Sequence, residues 1–467
     1  MTKTCTLVAF AGVLVAVASV GTAADGDLEA SFGTGGLGLT GVVTGTSADT
    51  GCRPAVQTDR KIVICGTRSL NGSSGSDFFV ARFNANGTLD TSFSFDGLVT
   101  IDFDNGAGID TAASVALQPD GKIVVAGTTQ DSQGNADFAV ARINAAGSLD
   151  PAFGAGTGKT TVSFDLNGGV GSDVGAAVVI QADGKIVVAG SAQTASGNVF
   201  ALTRLLSDGT RDSSFNLNGK VTVGFGISGL ANEAAYAAAA AIDDSGRIVV
   251  SGTDGYNDGS HTINAFAVAR VLANGAPDPD FHANGRTTIA FDPGNGVSAA
   301  LNLGMTIQRD GRIVLVGAAN SSTSATSNYD IAVARLQPDG SLDAGFGFAG
   351  KTQIPFDLAP NAFDAGFSVA QESNDRLLIA GTSLLSASLE VGTLARLTPN
   401  GALDAAFGVF GKRTYNFSTA SPPEQAFTGI AFQGTQIIVA GFVGVNAGFD
   451  NVVLRLENDL IFADGFR

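Results

Sequence analysis

One unit of roughly sixty residues returns seven times along the 467-residue chain, and nothing else in it constrains the fold so tightly. The string QPDGKIVVAG at 118–127 returns as QADGKIVVAG at 181, and more loosely as DDSGRIVVSG at 243, QRDGRIVLVG at 308 and ESNDRLLIAG at 372. QTDRKIVICG at 57 and FQGTQIIVAG at 432 complete the series. The aligned Lys61, Lys122, Lys185, Arg247, Arg312, Arg376 and Gln436 stand 60 to 65 residues apart and number repeats one to seven. A second string, typified by DFAVAR, ends in Arg82, Arg142, Arg204, Arg270, Arg335, Arg396 and Arg455. A third, typified by GSLDPAFG, places Phe32, Phe93, Phe153, Phe215, Phe281, Phe346 and Phe407. Three independent markers give the same count.

Each unit reads as four short strands. Asp-Gly between two apolar runs, as in VALQPDGKIVV, is a hairpin signal. IVVAG is apolar on both alternating faces, so its strand is covered on both sides. The run before the turn is alanine-rich, as in GAAVVI and YAAAAAI, which suits the narrow inner end of a tapered arrangement. A fourth strand carries patterns such as KTTVSF and RTTIAF, and no sustained helical periodicity follows residue 24. A four-stranded unit that cannot bury both faces alone, repeated seven times, predicts an all-β, seven-bladed β-propeller. The chain after residue 24 opens with DLEASFG, which leads into a fourth strand, and ends just past the third strand NVVLRLEN. The ring is therefore expected to close when residues near 36 to 44 pair with Val452 to Leu456, completing the last blade and removing free edges.

The combined motif LDxxFG…DGKIVVAG…DFAVARL resembles the delta-60 repeat of exported bacterial proteins over about residues 28 to 456, and its strand logic is similar to the NHL-type propeller repeat. The resemblance implies a propeller and assigns no chemistry. Repeats four and seven depart most, with DDSGR and GTQ in place of the Asp-Gly-Lys turn. The last residues, 461 to 467, loosely resemble the Phe-x-Asp-Gly-Phe tail of some exported proteobacterial proteins.

Lys3, the apolar run Leu7 to Val20 and the small residues Thr22-Ala23-Ala24 read as a signal peptide over 1–24. The propeller is then expected over 25–456 and a short tail over 457–467. The destination is the periplasm, the cell surface or outside the cell. No second apolar span follows, so no membrane span is expected after the leader, and a monomer is the expected state. Export permits disulfides. Cys52 and Cys65 flank a hairpin turn near Thr58-Asp59 and fall opposite or one place off, so register decides between a disulfide and two small buried residues.

Hydrophobic residues at 44% against 15% charged exclude disorder. A balance of 26 basic against 43 acidic residues excludes nucleic acid as a natural partner. Two histidines and three cysteines leave few parts for zinc or a histidine-based triad. A residue present in every repeat is structural, because chemistry needs one site. The strand-end arginines and the Leu-Asp residues Asp90, Asp150, Asp343 and Asp404 are therefore expected to pair.

Two groups of residues break the pattern. Counting twelve back from each basic marker gives Asp49, Asp110, Asp173, Asp364 and Glu424, but Ala235 and Ala300 in repeats four and five. In a closed ring these carboxylates form one arc at a channel mouth, either capping backbone amides or holding a cation, with calcium the candidate. Extra loop length gathers over repeats three to five, where Tyr256, Asn257, Asp258, His261 and Tyr329 are the candidate ligand-binding residues. The expected function is a non-enzymatic exported module binding a protein or glycan. The alternative is a hydrolase or lyase at the channel mouth, using a bound cation.

Overall fold

The computed structural model describes residues 26–41, 51–69, 75–104, 108–168, 171–226, 234–257, 261–294, 297–322, 328–360, 363–386, 389–418, 420, 424–445 and 448–457. The proposed signal peptide, Asp49, Asp258 and the tail beyond residue 457 lie outside them. Among the described residues all regular structure is β, apart from one 3-10 turn at Gly154–Gly156. No helix among them is long and apolar enough to cross a membrane.

Repeat two shows the plan. Its inner strand Ile109–Leu117, second strand Ile123–Gln130, third strand Ala136–Ile143 and outer strand Lys159–Val162 form an antiparallel meander. Five sheets have four strands, and one eight-stranded sheet joins repeats one and two through a parallel pair, Ser76↔Ile109, with like bridges at Ala136↔Ser172, Asn264↔Ala299 and Tyr329↔Phe363. The inner strands pack side by side in chain order, and the last, Gln425–Gln433, lies against the first, Ala55–Val56. At the N-terminus, Leu37–Leu39 pairs with Gly448–Leu456 in the register Leu37↔Leu454, Gly38↔Val453, Leu39↔Val452. One sheet thus holds both ends of the described chain.

The second strands are buried on both faces because each sheet is sandwiched between its neighbours. One apolar cluster, for example, runs from Val187, Phe200 and Phe215 of repeat three to Ile248 and Ala267 of repeat four. Burial of this kind contributes about 25 cal/mol per Å² of apolar surface, spread over every interface between repeats.

The three markers of the sequence meet in one clasp. Each strand-end arginine donates Nε–H to the Leu-Asp carboxylate at 2.7–2.8 Å, from Arg82–Asp90 through Arg396–Asp404. The basic residue of the hairpin turn reaches the same carboxylate, as Lys61 does Asp90 at 2.9 Å and Arg376 does Asp404 at 3.2 Å. The guanidinium lies over the marker phenylalanine, 4.4–4.8 Å from ring centroid in these six repeats. In repeats one to five its Nη1 then donates to a carbonyl of the next repeat, for example Arg82 to Ala145 at 2.7 Å and Arg335 to Pro399 at 2.6 Å. In repeat seven the N-terminal segment supplies the parts. Arg455 Nε donates to Glu29 at 2.7 Å, its guanidinium lies over Phe32 at 4.9 Å, and its Nη1 donates to Ala85 of repeat one at 2.8 Å. The turn glycines follow from this packing. Gly340, at φ +86°, leaves room for the ring of Phe281, which a Cβ would meet at 2.9 Å.

Candidate functional site

The inner strands surround a cavity of about 270 Å³ lined chiefly by small and apolar side chains, among them Ala113, Ala238, Leu303, Phe367 and Thr428. Each of these sits where its inner strand skips one residue in the pairing, as between Ala112 and Ser114. A bulge turns the extra residue off the ladder, here toward the cavity. Repeat one differs. Cys52 is buried in the sheet and joined to Cys65, with their Cα atoms 5.0 Å apart, and Cys52 N–H donates to the Cys65 carbonyl at 2.9 Å. The following residue, Arg53, enters the cavity instead and separates it from a smaller one of about 180 Å³.

Arg53 is the unusual charge of this site. Its guanidinium donates to the carbonyls of Met305 at 3.0 Å and Phe367 at 3.3 Å, reaching across to repeats five and six. Those acceptors are neutral, and burial lowers its pKa to about 10. Gly304 makes the reach feasible, since a Cβ there would stand 2.6 Å from Arg53 Nη2. The sequence carries the signal: Arg53 aligns with Ser114, Ala177, Ala239, Gly304 and Ser368, all small. Glu390 lines the same cavity, and burial with the nearby Glu424 charge raises its carboxyl above the usual range.

Of the expected acidic arc, Asp110, Asp173 and Asp364 do not line this cavity, and Glu424 acts on it only through the neighbouring Glu390. Asp110, Asp173 and Asp364 are buried at separate crossovers between repeats, where Oδ2 accepts the backbone N–H of Phe103, Phe164 and Phe356 at 2.7, 2.5 and 2.7 Å. Burial raises the carboxyl of each, that of Asp110 to about 6. In repeat seven the crossover acceptor is Gln425, which takes the Phe417 N–H at 2.7 Å. Glu424 stands one residue earlier, because this hairpin is one residue shorter: Phe432↔Ile437 replaces pairings such as Gln371↔Leu377. In repeat five Ser298 Oγ accepts the Phe291 N–H at 2.9 Å. In repeat four Ala235 faces Asp254, so a buried carboxylate comes from the second strand. Asp49, the remaining member of the arc, lies outside the described residues.

The loop candidates are spread out. Tyr256 and Asn257 end the second strand Ile248–Asn257, and the exposed His261 immediately precedes the third strand. Tyr329 instead packs on Phe363 of the next repeat, with ring centroids 5.5 Å apart. A wider groove of about 480 Å³ runs along the outer strand Arg286–Ile289 and includes His282. Its Arg286 is already engaged by the Gly224 carbonyl.

Six stretches, residues 57–93, 118–153, 181–215, 244–281, 308–346 and 372–407, match the family described as "Domain of unknown function (DUF5122) beta-propeller". No curated protein matches the chain. Among solved structures, it is similar to a polysaccharide lyase, the PL25 ulvan lyase bound to -[GlcA(1-4)Rha3S]-, with TM-score 0.52 and 11% identity over 88% of this chain and 95% of that one. A protein of unknown function from Dyadobacter fermentans gives TM-score 0.47 and 11% identity over 91% and 99% of the two chains. The sialidase of Trypanosoma rangeli in complex with sialic acid gives TM-score 0.41 and 9% identity over 91% and 60%. At these identities the likeness is one of fold.

Proposed function

We propose that this β-propeller repeat protein is an exported, seven-bladed ring that binds an anionic group of a protein or glycan in its central cavity, with Arg53 as the receptor. The pairing of Leu37–Leu39 with the last repeat and the Arg455–Glu29 clasp support the closure. The leader-like sequence of residues 1–24 and the Cys52–Cys65 bond support export.

Arg53 carries the functional reading. A buried guanidinium held by carbonyls keeps its charge uncompensated, and an entering carboxylate or sulfate would complete it through charge-assisted, two-pronged hydrogen bonds. The chain's net charge of −17 works against anions at long range, but salt screens that field beyond roughly 8–10 Å. A cavity of about 270 Å³ takes one sugar ring or one side chain, and Ala113, Leu303 and Phe367 give it an apolar wall. The ulvan lyase sharing the fold is bound to an acidic saccharide, which makes glucuronate the first probe. Titration calorimetry should show glucuronate or sulfate binding and glucose not binding, and Arg53→Met should abolish the heat. Anion binding that persists in Arg53→Met would remove the assignment.

A second reading, a lyase or hydrolase, has one observation in its favour. Glu390 faces the same cavity with its carboxyl raised, as a general acid requires. Release of product from an acidic polysaccharide, lost in Glu390→Gln, would establish it.

A further inference from the structure

Two crossovers between repeats bring three aspartates each to within one ion's reach. Asp77, Asp102 and Asp110 offer carboxylate oxygens all within 4.8 Å of one another, and Asp330, Asp357 and Asp364 do the same. The outer two members of each group come from equivalent places, the third strand of one repeat and the inner strand of the next, while the middle members stand on either side of the capped phenylalanine, Asp102 before Phe103 and Asp357 after Phe356.

Two further observations point to a ligand. The first is an orphaned atom. Asp110 is 0% exposed and Asp364 1%, and while Oδ2 of each caps a phenylalanine N–H, the enclosed Oδ1 faces only the hydroxyl of Thr129 or Ser383 across the strand pair, without a hydrogen bond of normal geometry. A carboxylate oxygen shut away from water beside other carboxylates is costly unless a cation or a proton joins it. The second lies in the comparison of the repeats themselves. The third strand carries aspartate at this place in repeats one, two, five and seven (Asp77, Asp137, Asp330, Asp450), and the sequence position twelve before the next basic marker is Asp110, Asp173, Asp364 or Asp49. Where the third strand has Val199, Ala265 or Val391, the following inner strands carry Ala235, Ala300 and Gln425. Although at Ala235 the facing Asp254 keeps a buried carboxylate, the third-strand and inner-strand aspartates are kept together or lost together. Capping alone does not require this, since Gln425 and Ser298 cap without a third-strand partner.

We propose that the Asp77–Asp102–Asp110 and Asp330–Asp357–Asp364 clusters are divalent-cation sites, suited to calcium, that pin one repeat to the next. All-oxygen donors select a hard ion, and the flexible coordination of calcium suits carboxylates drawn from three separate segments. The basic groups nearby offset these charges only in part, and burial still raises Asp77 and Asp330. Lys159 is held by the Asp102 carbonyl and lies over the Phe103 ring, Lys412 by the Pro355 carbonyl at 2.7 Å, and Arg68 acts on Asp77 from the surface.

The test is calcium chloride titrated into chelator-treated full chain at pH 7, read by calorimetry and by melting temperature. Two sites are expected, with a melting temperature that rises with calcium. Asp77→Asn and Asp330→Asn should each remove one site, and the double variant both; neither residue caps a crossover amide, so the fold is spared. No heat and a melting temperature indifferent to calcium in the unaltered chain would overturn the proposal. Undiminished binding in the double variant would overturn it equally. A melting temperature that responds to acid but not to calcium would assign the clusters to a shared proton instead.

Discussion

The outer clasp and the inner crossover sit in the same repeats and behave oppositely. At the clasp, arginine, carboxylate and phenylalanine recur with nearly constant geometry, down to the substitution of Glu29 and Phe32 for the parts that repeat seven lacks. At the inner end, the crossover amide is met by aspartate, serine or glutamine, and one repeat sends an arginine into the cavity. Constancy marks what holds repeats together, and departure marks where a single site can exist. The two ends can be told apart by experiment.

The largest effect is expected from removing the N-terminal complement of the last clasp. Deleting residues 25 to 45 takes away Glu29, Phe32 and the strand Leu37–Leu39, and bares the edge of Gly448–Leu456. A sharply lowered melting temperature and concentration-dependent association are expected. A truncated chain that melts unchanged and stays monomeric would sink the closure.

Breaking one internal clasp comes next. Asp278→Ala leaves Arg270, 3% exposed, without its carboxylate, and a buried charge stripped of its partner typically costs about 3–5 kcal/mol. Chemical denaturation of the variant measures this. Acid should act in the same direction. Although burial opposes it, hydrogen bonds from Ser214 and the Arg204 and Lys185 charges hold Asp212 at about 2. A depressed carboxyl contributes stability that is present above the unfolded value, near 4, and is lost as pH falls through about 2. The Cys52–Cys65 bond closes a short loop at a sequence separation of 13, for which chain entropy suggests about 3 kcal/mol. Reduction should lower the denaturation midpoint accordingly.

The inner crossovers should show the reverse pH dependence. Burial, only partly offset by hydrogen bonding, raises Asp110 and Asp330 to about 6. A raised carboxyl contributes stability that is complete below the unfolded value, near 4, and is lost as pH rises through about 6. In chelator, the melting temperature should therefore fall between pH 4 and about 7, and Asp330→Asn should flatten the slope. A rise over that window would contradict the burial of these carboxylates.

The fold was legible because period, hairpin turns and apolar runs all agree, and the clasp was legible because its parts recur at fixed spacing. The inner site was not. Counting residues from Gln436 selects Glu424, but a hairpin shorter by one residue puts Gln425 at the crossover. Repeat four hides its carboxylate on the facing strand, as Asp254 opposite Ala235. Asp77 and Asp330 sit in strands that read simply as apolar, and only the crossover brings them to Asp110 and Asp364. Arg53 alone left a trace, as one large charge among aligned small residues.

The smallest expected effect on stability is the most discriminating. Arg53 and Arg270 are both buried arginines, one at the inner end and one in a clasp. Arg270→Met abandons Asp278, 1% exposed, and should cost several kcal/mol. Arg53→Met abandons only the carbonyls of Met305 and Phe367, and it replaces a desolvated charge with an apolar chain of similar length in a cavity walled by Leu303 and Phe367. Removing a buried charge that has no charged partner is about neutral or stabilising, so a change within roughly 1 kcal/mol is expected. Anion binding should nevertheless vanish. If Arg53→Met unfolds the chain as readily as Arg270→Met, Arg53 is a structural strut across the cavity, and the anion site must be sought elsewhere.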